Sequence, residues 1–162
     1  MEVKINLGRD DIYTEVSKIT SIVGKKRQDA NSPNMYIRVS ASDTDRMVFE
    51  PFFSEAISLL VSEVRLYTKS VQGEDVTANS ISTSSFEITF DLPQTFNSSS
   101  MTNSIRASMR SFFVNYIIAK WLEITLPNEV QPYTNAAQRA LENIRAKIST
   151  RNRPTYTKPI IK

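Results

Sequence analysis

Gly24-Lys25-Lys26-Arg27 is where this chain comes nearest to a phosphate-binding loop, and it falls short on two counts. Such a loop needs an earlier glycine, so that backbone amides can converge, and a Ser or Thr directly after the lysine; neither is present. With three glycines in 162 residues no other cradle of amides is available, and nucleotide binding is not expected. Asp43-Thr44-Asp45 could open a hard-cation site, but no ordered series of oxygen ligands and no loop glycine follows it, and both carboxylates read more simply as helix caps. The acid pairs Glu50 with Glu55 and Glu87 with Asp91 have no spacing that singles them out for hydrolysis. There is no histidine and no cysteine. That removes the commonest general base, the commonest transition-metal ligand, thiolate chemistry and disulfides. A Ser–Lys arrangement is the remaining nucleophilic option, and no motif stands behind it. The expectation is a chain that is not an enzyme and needs no metal or organic cofactor.

Charge is distributed unevenly. Residues 139–162 hold seven Lys or Arg against one Glu, whereas residues 1–138 hold thirteen against sixteen. A mildly acidic body with a basic end suggests that the end meets an acidic partner. The end is not purely basic, because Arg151, Arg153, Lys158 and Lys162 are interleaved with Pro154, Tyr156, Pro159, Ile160 and Ile161. Binding phosphate alone would not require the three apolar side chains, so their presence favours docking on protein. The two prolines stop a helix, and so few apolar groups cannot offset the conformational entropy of ordering. Residues 151–162 are therefore expected to be disordered in the free subunit and ordered only on a partner. Arg106 and Arg110, four apart on one helical face, repel each other unless a phosphate, a neighbouring subunit's acid or solvent lies opposite.

The elements that would position these groups follow from periodicity. Val3, Ile5 and Leu7 alternate with polar residues and predict a short strand. Ile12, Val16, Ile19 and Val23 predict an amphipathic helix, with Gly24 as its C-terminal cap. Lys25 to Asn34 reads as a loop, and Met35, Ile37 and Val39 as a possible short strand. A second helix is predicted from Asp43–Asp45 to about Lys69, with Phe49, Phe52, Phe53, Ala56, Leu60, Val64 and Tyr67 on its apolar face. Pro51 inside it predicts either a kink or a separate turn before it. Residues 70–85 have the composition of an exposed loop or hairpin tip. Phe86, Ile88, Phe90 and Leu92 alternate with polar residues in the clearest strand, which Pro93 ends. Its partner is left open among 76–82, 35–39, the N-terminal strand and another subunit. A third helix, Ser99 to Ile124, carries the widest apolar stripe and should be the structural centre. The fourth, about Tyr133 to Thr150, has small residues that permit close approach. The longest apolar run, Phe112 to Leu126, is interrupted by Asn115, Lys120 and Glu123, so neither a signal peptide nor a membrane span is expected. The fold class is mainly α with a small β element: a bundle of about four helices, a short strand or hairpin and an extended C-terminal arm. Residues 1–150 make one domain.

This order of elements, with Ala119-Lys-Trp-Leu122 closing the long helix and then Pro132-Tyr133, Ala137, Leu141, Ile144, Lys147 and Arg151-x-Arg-Pro154, resembles the head-tail connector (adaptor) proteins of tailed bacteriophages. The likeness covers about two thirds of the chain, and residues 1–42 fit it less well. It implies a structural virion protein at the neck, assembled in the host cytoplasm. Twelve copies would form a ring stacked under the portal protein, near other neck or tail proteins, with DNA passing through the centre. It further implies a portal contact through Arg151, Arg153, Pro154, Tyr156, Lys158, Pro159, Ile160 and Ile161. Arg106, Arg110, Phe86, Ile88 and Phe90 are then candidates for the subunit interface or channel. The alternative function is that of a basic-tailed nucleic-acid-binding protein.

Overall fold

The computed structural model describes residues 1–28, 33–72 and 85–151. The first strand, β1 (Glu2–Gly8), buries Val3, Ile5 and Leu7 and exposes the residues between them, as its alternation requires. It pairs antiparallel with β3 (Ser85–Asp91), so that Val3 lies opposite Phe90, Ile5 opposite Ile88 and Leu7 opposite Phe86. The other edge of β3 is taken by β2 (Thr68–Gln72), with an irregular register between Thr68 and Ser70. The sheet order is therefore β1-β3-β2. Of the candidate partners for β3, the N-terminal strand is realised and 35–39 is not, while 76–82 lies outside the described residues. Residues 68–72, the second partner, fall where the sequence pattern places the end of a helix and the start of a loop.

Four expectations need correction. The first concerns Gly24, which does not end α1 (Arg9–Arg27) but sits buried within it. A Cβ there would stand 3.1 Å from the Tyr36 Cα and 3.2 Å from its carbonyl oxygen, so the glycine serves close packing rather than a left-handed cap. Met35–Val39 is a helical turn, α2, and not a strand. Its apolar residues do not share a face: Val39 is fully buried and Ile37 is 74% exposed. Helix α3 (Arg46–Val64) stops short of Lys69, because a 3-10 turn at Arg65–Tyr67 releases the chain into β2. Its start is not capped by Asp45 in the ordinary sense. The Ser42 amide donates to the Asp45 carboxylate at 2.7 Å, which is one half of a capping box over the turn Asp43–Asp45. That separate turn precedes α3, and α3 then stays helical through Pro51. The missing amide would have bonded the Met47 carbonyl, and both residues are exposed, so water can satisfy that oxygen.

The two C-terminal helices follow their periodicity closely. Helix α4 (Ser98–Thr125) buries Ile105, Met109, Phe112, Phe113, Ile117, Ile118 and Leu122. It packs along α5 (Val130–Ile148), whose contact face is Ala137, Ala140, Ile144 and Ile148, and it also touches α1, α2, α3 and β1. One hydrophobic core runs from Val3 to Ile148, so residues 1–42 belong to the same body as the rest. Trp121 is 8% exposed, meets Phe49 edge-on with centroids 5.6 Å apart, and donates its indole N–H to the Val39 carbonyl at 2.8 Å. Beside it, Tyr13 is buried against Phe49 and Phe53. Its hydroxyl makes no hydrogen bond of ordinary geometry. Burial, reinforced by the charge of Glu50, holds its ionisation far above the usual phenol range.

Trp121→Ala should destabilise the protein by about 3–5 kcal/mol, since it removes a buried aromatic and orphans a buried carbonyl; thermal melting within a degree or two of wild type would show α4 to be peripheral. The raised Tyr13 value has a definite sign. Its stabilising contribution is whole below the unfolded phenol value of 10.0 and is lost as pH rises above it. Denaturation midpoints measured from neutral to strongly alkaline pH should therefore fall less steeply in Tyr13→Phe than in wild type.

Candidate partner-binding surface

The acids that could have done chemistry are dispersed and occupied. Arg9, itself buried, donates to Glu50 at 2.7 Å. Lys120 lies 3.3 Å from Glu55, Lys4 3.7 Å from Glu87, and the amino group of Met1 3.4 Å from Asp91. Among the described residues no three acids gather as a metal site. The basic run Lys25-Lys26-Arg27 forms the last turn of α1, where the helix dipole favours cations. There Lys25 lies over the Tyr36 ring, 5.5 Å from its centre, and Arg27 pairs with Glu129.

The structure does bring one serine and one lysine together. The Lys147 ammonium donates to the Ser108 hydroxyl at 2.6 Å and to the Ser104 carbonyl at 3.2 Å, tying α5 to α4. A catalytic dyad needs a neutral, desolvated amine that takes the serine proton, and two amides aimed at a developing oxyanion. Here the amine is half-buried. Ser108 lies in the middle of α4, where the neighbouring amides are spent on helix hydrogen bonds. The pair is an interhelical clamp.

The remaining expected site residues separate into three groups. Phe86, Ile88 and Phe90 are fully buried in this subunit's own core, which rules them out as a subunit interface or channel lining. Their strand is central in the sheet, and its apolar side is already covered from within the chain. Arg110 does not face a neighbouring subunit's acid: its guanidinium pairs with Glu15 of α1 at 2.7 Å. Arg106, one turn earlier, is exposed and has no ion-pair partner among the described residues. It lines a shallow groove with Asn6, Asp11 and Asn103, and a second groove along the same helix is lined by Ser111, Ala136, Arg139 and Asn143. Together they make an open, mildly basic face along α4, to which Lys18 adds charge from α1. Nothing in the spacing of Arg139 or Lys18 brings them to Arg106; only the packing of α1 and α5 on α4 does. Arg151 ends the described chain and folds back, its guanidinium donating to the Ile148 carbonyl at 2.8 Å. Arg153, Pro154, Tyr156, Lys158, Pro159, Ile160 and Ile161 lie outside the described residues, as does the expected disorder of the tail.

No family model, no curated protein and no solved structure matches the chain.

If the Ser108–Lys147 pair is a clamp, an activated-serine probe such as a fluorophosphonate should leave Ser108 unlabelled under conditions that label a serine hydrolase. Lys147→Met should cost about 1 kcal/mol of stability through the lost charged hydrogen bonds. Stoichiometric labelling at Ser108 would restore the hydrolase reading.

Proposed function

We propose that this chain is a structural protein of a tailed-bacteriophage virion, a connector subunit that assembles into a ring of twelve copies beneath the portal protein. The basic, apolar-bearing segment 151–162 docks on the portal, other neck or tail proteins bind the opposite side, and the genome passes through the centre. The observation that carries this reading is where the charge is left over. The body neutralises its own charges in pairs such as Arg9–Glu50, Arg110–Glu15 and Arg145–Glu63. The surplus stands at the end of α5 and beyond it, where seven Lys or Arg face one Glu. The succession of a turn-capped α3, a small sheet, a long apolar α4 and an antiparallel α5 that feeds the tail agrees with the resemblance drawn from the sequence. A cyclic assembly repeats each tail around the ring, so weak individual contacts add by multivalency. The open Arg106 and Arg139 face favours a second reading, direct binding of nucleic acid.

Electron micrographs of the purified protein, alone and with candidate portal protein, should show rings and then rings stacked on portals. Deleting 151–162 should leave the melting temperature and the ring unchanged and abolish stacking. Stacking that survives the deletion would remove the tail from the interface. A deletion that instead abolishes DNA binding, with affinity falling steeply as salt rises, would favour the nucleic-acid reading.

A further inference from the structure

One flank of α3 carries a line of apolar side chains that no described residue covers. Val48 is 40% exposed, Leu59 41% and Leu66 85%, and Phe52 between them is only partly buried. Spacings of four, seven and seven residues keep all four within roughly 40° of one another around the helix axis. Single exposed apolar residues are ordinary, but a continuous row is not. The polar groups along this row are already engaged. The Ser62 hydroxyl turns back to the Leu59 carbonyl at 2.8 Å. Glu55 meets Lys120 of α4 at 3.3 Å, and Glu63 meets Arg145 of α5 at 2.9 Å. The row therefore runs beside the seam where α3 meets α4 and α5, and it offers a partner mainly apolar surface.

The chain supplies an occupant at one end of that seam. Arg145 touches Glu63 near the end of α3, and the described chain stops six residues later, at Arg151. Eleven further residues follow, including Tyr156, Ile160 and Ile161. Fully extended they span about 36–40 Å, whereas the row from Leu66 to Val48 is about 27 Å long. We propose that residues 152–162 bind back along this flank of their own chain, placing Tyr156, Ile160 and Ile161 over Leu66, Leu59 and Phe52. Arg153 and Lys158 then pass the carboxylates of Glu63 and Glu55, each of which can hold a second cation. The flank is a parking site, and any partner that binds the tail competes with it, so its apparent affinity falls by the fraction of tails that are docked. This inference does not depend on what the partner is.

The absence of native cysteine makes a disulfide trap clean. Ser62→Cys with Thr157→Cys flanks the apolar row without altering it, and Ile22→Cys with Thr157→Cys is the control on another exposed helix. Under mild oxidation of the full chain, the first pair should close within one chain roughly tenfold or more faster than the control, as the effective concentration of a docked pair requires. Leu59→Ser with Leu66→Ser, added to the first pair, should slow closure to the control rate while circular dichroism stays unchanged. Equal rates for the two pairs, or closure indifferent to the Leu59 and Leu66 changes, would overturn the proposal. Disulfide-linked dimers in place of the intrachain product would overturn it too, by showing that the flank binds a second copy.

Discussion

Three phenyl rings from three different elements meet at the centre of this molecule, and every layer is built outward from them. Phe53 of α3 stacks on Phe113 of α4, with centroids 4.7 Å apart and planes 17° from parallel. Phe86 of β3 meets Phe113 at 5.4 Å and Phe53 at 6.3 Å, in both cases near edge-on. Such contacts contribute about 0.5–1.5 kcal/mol each beyond the area they bury. Their larger effect is geometric, because they lock the sheet and the two helices at one junction. Tyr13 and Arg9 of α1 close the same cluster, Arg9 lying over the Phe53 ring at 4.7 Å. Since β3 is the central strand, fixing Phe86 also fixes β1 and β2 on either side of it.

From that junction α4 extends in both directions, and the surface inherits its arrangement. At the C-terminal end of α4, Trp121 holds α2 through the Val39 carbonyl, and Gly24 lets α2 approach α1. At the N-terminal end of α4, Lys147 clamps α5 by its last turn, which is where the chain departs toward its basic segment. Most of the ion pairs joining these elements are partly solvent-exposed, so they orient the helices more than they stabilise them. They also leave the body with little unpaired charge, while the segment beyond α5 keeps its own. A molecule arranged this way has its recognition capacity at its end and on its flanks.

The reading of the sequence succeeded where a signal repeats over enough residues to average out local exceptions. The alternation in Val3-x-Ile5-x-Leu7 and Phe86-x-Ile88-x-Phe90 gave both long strands their correct face, and the stripes from Ile105 to Leu122 and Ala137 to Ile148 gave α4 and α5. It failed where segments are short. Five residues at Met35–Val39 fit either period, and the choice of a helical turn follows from packing against α1 and Trp121. Thr68–Gln72 is polar and carries no strand pattern, so it becomes a strand only because β3 presents an unpaired edge there. The assignment of Phe86, Ile88 and Phe90 to an interface went wrong for a related reason: alternation shows that a face is buried but not by what.

Composition and local periodicity were enough to establish a mainly helical chain with a small sheet, a central α4, no thiol or imidazole chemistry and a basic end that differs from its body. These properties depend on residue type and on neighbours within a few positions, both of which are written along the chain. The pairing of Arg110 with Glu15, the exposed row on α3 and the meeting of Ser108 with Lys147 join residues dozens of positions apart or depend on what a neighbouring element leaves uncovered. Those contacts follow from how the helices are set around the Phe53–Phe86–Phe113 junction, and many side-chain arrangements with the same local pattern would have served equally well before that junction closed.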